Sequence, residues 1–421
     1  MRQICLATIL AVAIAAPAAA QCPGDCNGDS EVTVDELVVA VNIALGEAPA
    51  TECTAADSSG DGAVTVDEVI GAIESALSGC GDGPTTAFVI ATDFETGSFG
   101  TVSFDDPPVV TPVSSQRHVN SDAIGRLFNS LIYVVNRFFG DNIQILDPSQ
   151  DFMTTRQCLT GGGSNPQDMA FVDGDKAYVS LGGGTEVLVV DPSPAADCSD
   201  FIKDRIDLVE YADEDGNPEL YQMAVVGDRL YVALQKLDRN NFFVPAENGS
   251  LVVIDTTTDE VVEEIVLTGS NPFAQTKGLP VLDGELIVGQ LGFFGVNDGG
   301  IERINLTSGP EGFFITEADL GGDIVDFIVL SHSDAYVVLS LPDFTNSVVA
   351  VDLIQRRVAR TLITGEAISD IELNDRGQLF VSQRTPQRPG IRIFDTTDGD
   401  SEITTAPLNL ELQPFDITFF P

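Results

Sequence analysis

The 421-residue chain contains no tryptophan and only two histidines, His118 and His332. Zinc and haem centres draw on His and Cys at set spacings. The seven cysteines show no such spacing, which excludes those centres. Neither histidine is accompanied by a serine in a G-x-S-x-G elbow, so no hydrolytic triad is visible. Positive charge is scarce as well. Twenty Lys and Arg face 65 Asp and Glu, for a formal net charge of -45, which argues against nucleic acid and anionic membrane surfaces as partners. Long apolar runs are almost missing. The one candidate, 4-ICLATILAVAIAA-16, is shorter than the roughly 20 residues of a membrane span, so no span is expected.

That run follows Arg2 and precedes Ala18-Ala19-Ala20, the pattern of a secretory signal over residues 1–20 cut ahead of Gln21. The protein is therefore expected to be secreted or periplasmic. Of the seven cysteines, Cys5 lies inside the signal. The remaining six are Cys22, Cys26, Cys53, Cys80, Cys158 and Cys198, an even number that favours disulfides in an exported chain. Four of them cluster within residues 22–80. This anticipates a small stapled module, a linker over 81–86 and a larger domain over 87–421. Cys22–Cys80 and Cys26–Cys53 are the expected pairs in the module, and Cys158 and Cys198 can bridge neighbouring repeats.

Two segments of the small module match each other, 25-DCNGDSEVTVDELVVAVNIAL-45 and 57-DSSGDGAVTVDEVIGAIESAL-77. Each opens with a twelve-residue acidic loop. Positions 1, 3, 5 and 12 carry Asp25, Asn27, Asp29 and Glu36 in the first, and Asp57, Ser59, Asp61 and Glu68 in the second. Position 7 supplies the Glu31 and Ala63 carbonyls, and position 9 supplies Thr33 and Thr65. Calcium takes hard oxygen donors at this spacing, with a Glu closing the shell, so two Ca2+ ions are expected. An amphipathic helix follows each loop, with Leu37, Val38, Val41 and Leu45, then Val69, Ile70, Ile73 and Leu77, as the apolar face. The duplicated loop–helix units resemble dockerins, a resemblance that covers residues 22–80 and implies an EF-hand calcium module with a cohesin-like partner. Glu instead of Asp at position 12, the four cysteines, and Val34-Asp35 and Val66-Asp67 at the recognition positions all depart from that family.

From Thr86 onward one pattern recurs: two apolar strands, then a third ending in Asp or a similar polar residue. Examples of the third are 142-NIQILDPS-149, 250-SLVVIDTTT-258 and 390-GIRIFDTTD-398. First strands begin near Asp122, Asp168, Gln222, Lys277, Asp326, Asp370 and Asp416. The last of these, 414-PFDITFFP-421, lacks partners after it, and 87-AFVIATD-93 lacks a first strand before it. Pairing the two ends closes a ring of seven blades without an exposed edge. The fold class expected is mainly β, a seven-bladed β-propeller preceded by a small α-helical EF-hand/dockerin-like domain. The repeats resemble those of YVTN-type propellers, which include lactonase-like enzymes and non-catalytic surface proteins.

The opening residues of the first strands would ring one mouth of the channel. Five carboxylates there, Asp122, Asp168, Asp326, Asp370 and Asp416, suit a cation or a polyol. The plainer reading has each Asp accepting backbone N–H bonds. Loops on the same face carry Phe94 and Phe99, Phe138-Phe139, Phe242-Phe243, Phe293-Phe294 and Phe344. Either they form an apolar rim, with Phe139, Phe243 and Phe294 among the ligand-facing residues, or one of each pair folds back to cap its blade. The resulting expectation is a secreted calcium-binding propeller acting as a non-enzymatic binding or scaffold module, with an unknown protein or glycan as ligand. The alternatives are a metal-dependent lactonase or hydrolase using the Asp ring, and a dockerin-type component of a polysaccharide-degrading assembly.

Overall fold

The computed structural model describes residues 22–27, 32–57, 63–78, 84–195 and 197–421. The signal segment 1–20, the ligand candidates Asp29, Glu31, Ser59 and Asp61, Cys80, and residues 81–83 of the linker lie outside them. Contacts divide the chain into two compact units, Met1–Asp82 and Gly83–Pro421.

In the first unit, helices α1 (Val34–Ala44) and α2 (Val66–Ser78) follow the two acidic loops. Each begins with a threonine that caps it. The Glu36 N–H donates to Thr33 Oγ1 while Glu36 accepts from the Thr33 N–H, and Thr65 and Glu68 repeat the exchange. The core is small: Ala40, Ile43, Cys53, Ala55, Ala56 and Val64. Gly24 makes this packing possible, because at φ +89° a Cβ there would lie 2.5 Å from that of Ala72. The Cys26–Cys53 disulfide ties the first loop to the approach of the second. Cys22 is also disulfide-bonded.

The apolar faces of the helices differ from the expectation. Ala40, Ile43 and Ala72 turn inward, whereas Val34, Val38 and Val41 of α1, Leu45 just after it, and Val66, Ile70 and Ile73 of α2 are exposed; the Leu77 side chain lies outside the described residues. The packed side includes Ala40 and Ile43 with Val39 of α1 and Val69 of α2, so Val69 alone of the described apolar-face candidates on α2 turns toward the core. Among the described residues, two helices and two short 3-10 turns supply no third layer to cover the larger stripe.

The second unit is a seven-bladed propeller. Among the described residues, six four-stranded antiparallel sheets and one five-stranded sheet alternate regularly along the chain, with a further two-stranded hairpin. Blade 1 takes its innermost strand, Pro414–Phe420, from the end of the chain. It pairs antiparallel with Thr86–Thr92, matching Thr86 to Phe420 and Val89 to Ile417. Blades 2, 3 and 4 begin with Ala123–Phe128, Pro166–Phe171 and Leu220–Val226; blades 6 and 7 begin with Asp323–Val329 and Ile368–Leu373. Seven hydrophobic clusters fill the seven spaces between blades. In one, Tyr133, Val135 and Ile143 of blade 2 meet Met169, Val179 and Leu188 of blade 3.

The recurring Asp at the end of the third strand has a local cause. Its carboxylate accepts the N–H two residues on, as in Asp147 with Ser149, Asp191 with Ser193, Asp255 with Thr257 and Asp395 with Thr397. These turns start the fourth strand. Hydrogen bonds from Thr257 hold the Asp255 carboxyl down at about 2. Blade 5 departs from the pattern. The strand expected from Lys277 forms only as Val281–Leu282, because Gly278 adopts φ +75° and Pro280 offers no N–H. The Cys158–Cys198 disulfide joins the outer strand of blade 2 to the stretch before the outer strand of blade 3.

Candidate functional site

Innermost strands of adjacent blades converge on the channel without forming ladders between sheets, so their channel-facing N–H groups need other acceptors. The ring aspartates supply them, each across to the next blade. The Met223 N–H donates to Asp168 (2.8 Å), Ile371 to Asp326 (2.9 Å), Ile417 to Asp370 (2.6 Å) and Gly125 to Asp416 (2.9 Å). Four of the five expected carboxylates therefore meet in the channel. Asp122 does not. Register places Ile124, immediately before Gly125, in the equivalent position, and the Asp122 carboxylate instead pairs with Arg137. The strand begins one residue after Asp122, which therefore lies outside it.

Two cations thread this ring. Arg126 Nε donates to Asp168 (2.8 Å), and Lys277 reaches inward from blade 5. Its ammonium contacts Asp416 and lies 3.4 Å from Asp370 and 3.8 Å from Glu372. Five channel carboxylates, counting Glu372, thus face two cations. Burial pushes Asp326 and Asp370 well above the usual carboxylate range, and raises Glu372 to about 7 against the pull of Lys277. Burial also opposes the charge on Lys277, but Asp370, Asp416 and Glu372 outweigh it and hold the ammonium above its ordinary value. Asp370 is 2% exposed, and its Oδ1 has no hydrogen-bond partner.

Sequence reasoning placed Lys277 on the ring but missed Arg126 and Glu372. A signal existed. Glu372 lies two residues beyond Asp370 and Arg126 four beyond Asp122, and period-two alternation along a strand puts each on the face of its ring position.

Above the ring stand the phenylalanines, on the connections between second and third strands. Phe94, Phe139, Phe242, Phe243 and Phe344 all have positive φ, between 57° and 67°. Their exposure runs from 57% at Phe243 to 93% at Phe242. Phe293 and Phe294 are exposed as well, and Phe294 stacks on Phe344 of the next blade at 6.3 Å. Phe99 is not part of the rim. It is buried in blade 1 against Phe88, 4.7 Å away, because it falls inside the strand Gly97–Ser103. Arg384 joins rim to ring, lying over Phe94 at 4.7 Å and Phe415 at 5.4 Å. Its guanidinium donates to the backbone oxygens of Thr92 and Pro414, and burial lowers it to about 10.

In the small unit, the Glu36 carboxylate spans its loop. Oε1 accepts from the N–H groups of Cys26 (3.1 Å) and Asn27 (3.2 Å), and Oε2 accepts from Thr33 (2.8 Å). Backbone bonding from Thr33 helps hold Glu36 below its ordinary value. The closing residue of the loop thus sits against its second, third and ninth positions. Asp25, Glu36 and Glu68 are buried. These donors are all hard oxygens, as calcium requires. No helix among the described residues is long and apolar enough to cross a membrane.

No protein-family model matches the chain, and no curated protein matches it. Solved structures do resemble it. The apo form of AztD from Citrobacter koseri is 10% identical, covers 81% of this chain and 99% of its own, and gives a TM-score of 0.49. A functionally unknown protein from Desulfotomaculum acetoxidans is 13% identical, with 79% and 98% coverage and a TM-score of 0.48. The Dos1 propeller is 12% identical, with 66% and 69% coverage and a TM-score of 0.46. The architecture itself rests on the sheet order and register given above.

Proposed function

We propose that the chain is an exported, calcium-binding, non-enzymatic binding protein whose propeller engages its ligand through the phenylalanine-bearing face. One observation carries this reading: five exposed phenylalanines hold left-handed backbone conformations on one face. A bulky residue at positive φ costs on the order of 1–2 kcal/mol, and the part of each ring left in water returns nothing to offset it in the free protein. Repeated on four blades, that cost points to a surface kept for contact rather than for stability.

A metal-dependent hydrolase in the channel fits less well. One oxygen of each ring aspartate accepts a backbone N–H of the next blade, and the ammonium of Lys277 sits where the carboxylates converge. The dockerin-like reading of residues 22–80 belongs to the same proposal, with Asp25, Asn27, Asp57, Glu36 and Glu68 among the calcium donors. A second role, as a docking component, is favoured by the exposed stripes on α1 and α2, which repeat the same positions in both halves.

The test is to probe glycan and secreted-protein arrays with the intact protein and with a Phe139→Ser, Phe344→Ser variant, alongside a lactone and ester panel containing calcium, zinc or manganese. A binder captured by the intact protein and lost by the variant supports the reading. Metal-dependent turnover abolished by Asp370→Asn would sink it.

A further inference from the structure

The rim is interrupted at blade 3. Its connection between second and third strands is 182-GGGT-185, with three glycines where blades 2 and 4 carry phenylalanines. The gap is a cavity of about 380 Å³, floored by Gly182 and Gly183 and walled by Phe139 and Phe243. Its size lies within the roughly 300–1,000 Å³ of ligand pockets. Leu237 adds an apolar side, and Asn165 lines it, with an Oδ1 that has no hydrogen-bond partner. The one cation in its wall, Arg239, is held by Glu219, whose carboxyl burial raises to about 7.

Segment 237–247 of blade 4 separates this groove from a second cavity of about 860 Å³. Asp213, Glu214, Asp215, Asp238 and Glu247 line that basin, and among the described residues no Lys or Arg does. Glu247 pairs with Lys236; the other four join no ion pair among the described residues. Asp213 Oδ2 is buried with no N–H or O–H donor to it, beside the carboxylate of Asp215. Leu237 and Arg239 line the groove while Asp238, between them, lines the basin, so the two cavities are one residue apart along the chain. An extended peptide also sends successive side chains to opposite sides, about 3.3 Å apart along its axis.

We propose that this pair of cavities receives an extended segment of a protein partner, with an apolar or aromatic side chain in the groove and a neighbouring Lys or Arg in the acidic basin. The inference rests on the binding-face reading above and narrows it to one stretch of the rim and one ligand class. The aromatic walls bury the apolar side chain. The unpaired carboxylates select the cation and reject acidic peptides, phosphates and anionic sugars. A chain of net charge -45 reinforces that selection at longer range.

The experiment uses the intact protein and three probes, N-acetyl-Phe-Lys-Lys amide, N-acetyl-Ala-Lys-Lys amide and N-acetyl-Phe-Glu-Glu amide, followed by saturation-transfer NMR. The first should bind at least five-fold tighter than the others. Phe139→Asn with Phe243→Asn, and separately Asp213→Asn with Asp238→Asn, should each remove that preference while the thermal midpoint is kept or raised. Equal binding of the acidic probe, or no binding of any probe, overturns the inference. Binding lost through Phe344→Asn but kept in the Phe139, Phe243 variant overturns the groove assignment and leaves the binding face standing. Binding untouched by every rim substitution overturns both.

Discussion

Replacing Lys277 with methionine removes the ammonium that three channel carboxylates share and keeps most of the side-chain volume. At 3.4 Å from Asp370, an effective dielectric near 20 makes that single attraction about 5 kcal/mol before desolvation is subtracted. Breaking a buried pair on one side costs about 3–5 kcal/mol net. The loss depends on pH, because the carboxylates left behind can escape by taking up protons. Holding one carboxyl neutral costs about 1.4 kcal/mol for each pH unit above its unfolded value. At pH 5 the variant should therefore lose only about 1–2 kcal/mol, and at pH 8 about 3–5 kcal/mol. The sign follows from direction: Asp326, Asp370 and Glu372 are all raised in the folded state, so their ionised forms oppose folding. Wild-type stability should itself decline as pH climbs from the unfolded carboxylate range through about 7, the Glu372 value. Lysine stays charged throughout that window and does not set it. Thermal unfolding by circular dichroism at both pH values is the assay, with about 2 °C expected for each kcal/mol in a domain of this size. Equal shifts at pH 5 and pH 8 would refute the reasoning, since they would mean Lys277 contributes by packing alone.

Phe242→Asn should stabilise the propeller by about 1 kcal/mol, because asparagine tolerates the left-handed conformation and Phe242 is 93% exposed; a lower melting midpoint would instead show that the ring packs. Cys158→Ser with Cys198→Ser should cost about 4 kcal/mol by chain entropy for a 40-residue separation, read from urea unfolding under non-reducing conditions. Removing calcium with EGTA should lower protection of the amides in α1 and α2 in hydrogen exchange and leave the propeller strands unchanged. Calorimetric titration of the chelated protein should return two ions per chain, and Glu36→Gln with Glu68→Gln should abolish both.

The closure of the ring was legible in the sequence because it depends on counting. A lone strand at one end and a missing one at the other leave a single antiparallel pairing that exposes no edge, and Thr86–Thr92 with Pro414–Phe420 makes it. The strand-ending aspartates were legible for a similar reason, since an Asx turn is a bond across two residues. Cys26 and Cys53 were paired correctly within their unit. The helix faces were not, since periodicity places Val38 and Ile70 on one stripe without saying whether anything covers it. Asp122 was misplaced by two residues because strand register depends on which N–H meets which carboxylate in the neighbouring blade.

What this sequence determined alone is everything carried by short range and repetition: strand alternation, polar turn ends, two matched acidic loops and the number of blades. Only the tertiary structure decided what the channel is. Asp168, Asp326, Asp370 and Asp416 come together from positions up to 248 residues apart, read from 168 and 416. Their role was settled by partners from other blades, the N–H groups of Met223, Ile371, Ile417 and Gly125 and the ammonium of Lys277. A carboxylate's chemistry is set by burial and by what stands within about 4 Å of it, and for residues on different blades neither quantity is written along the chain.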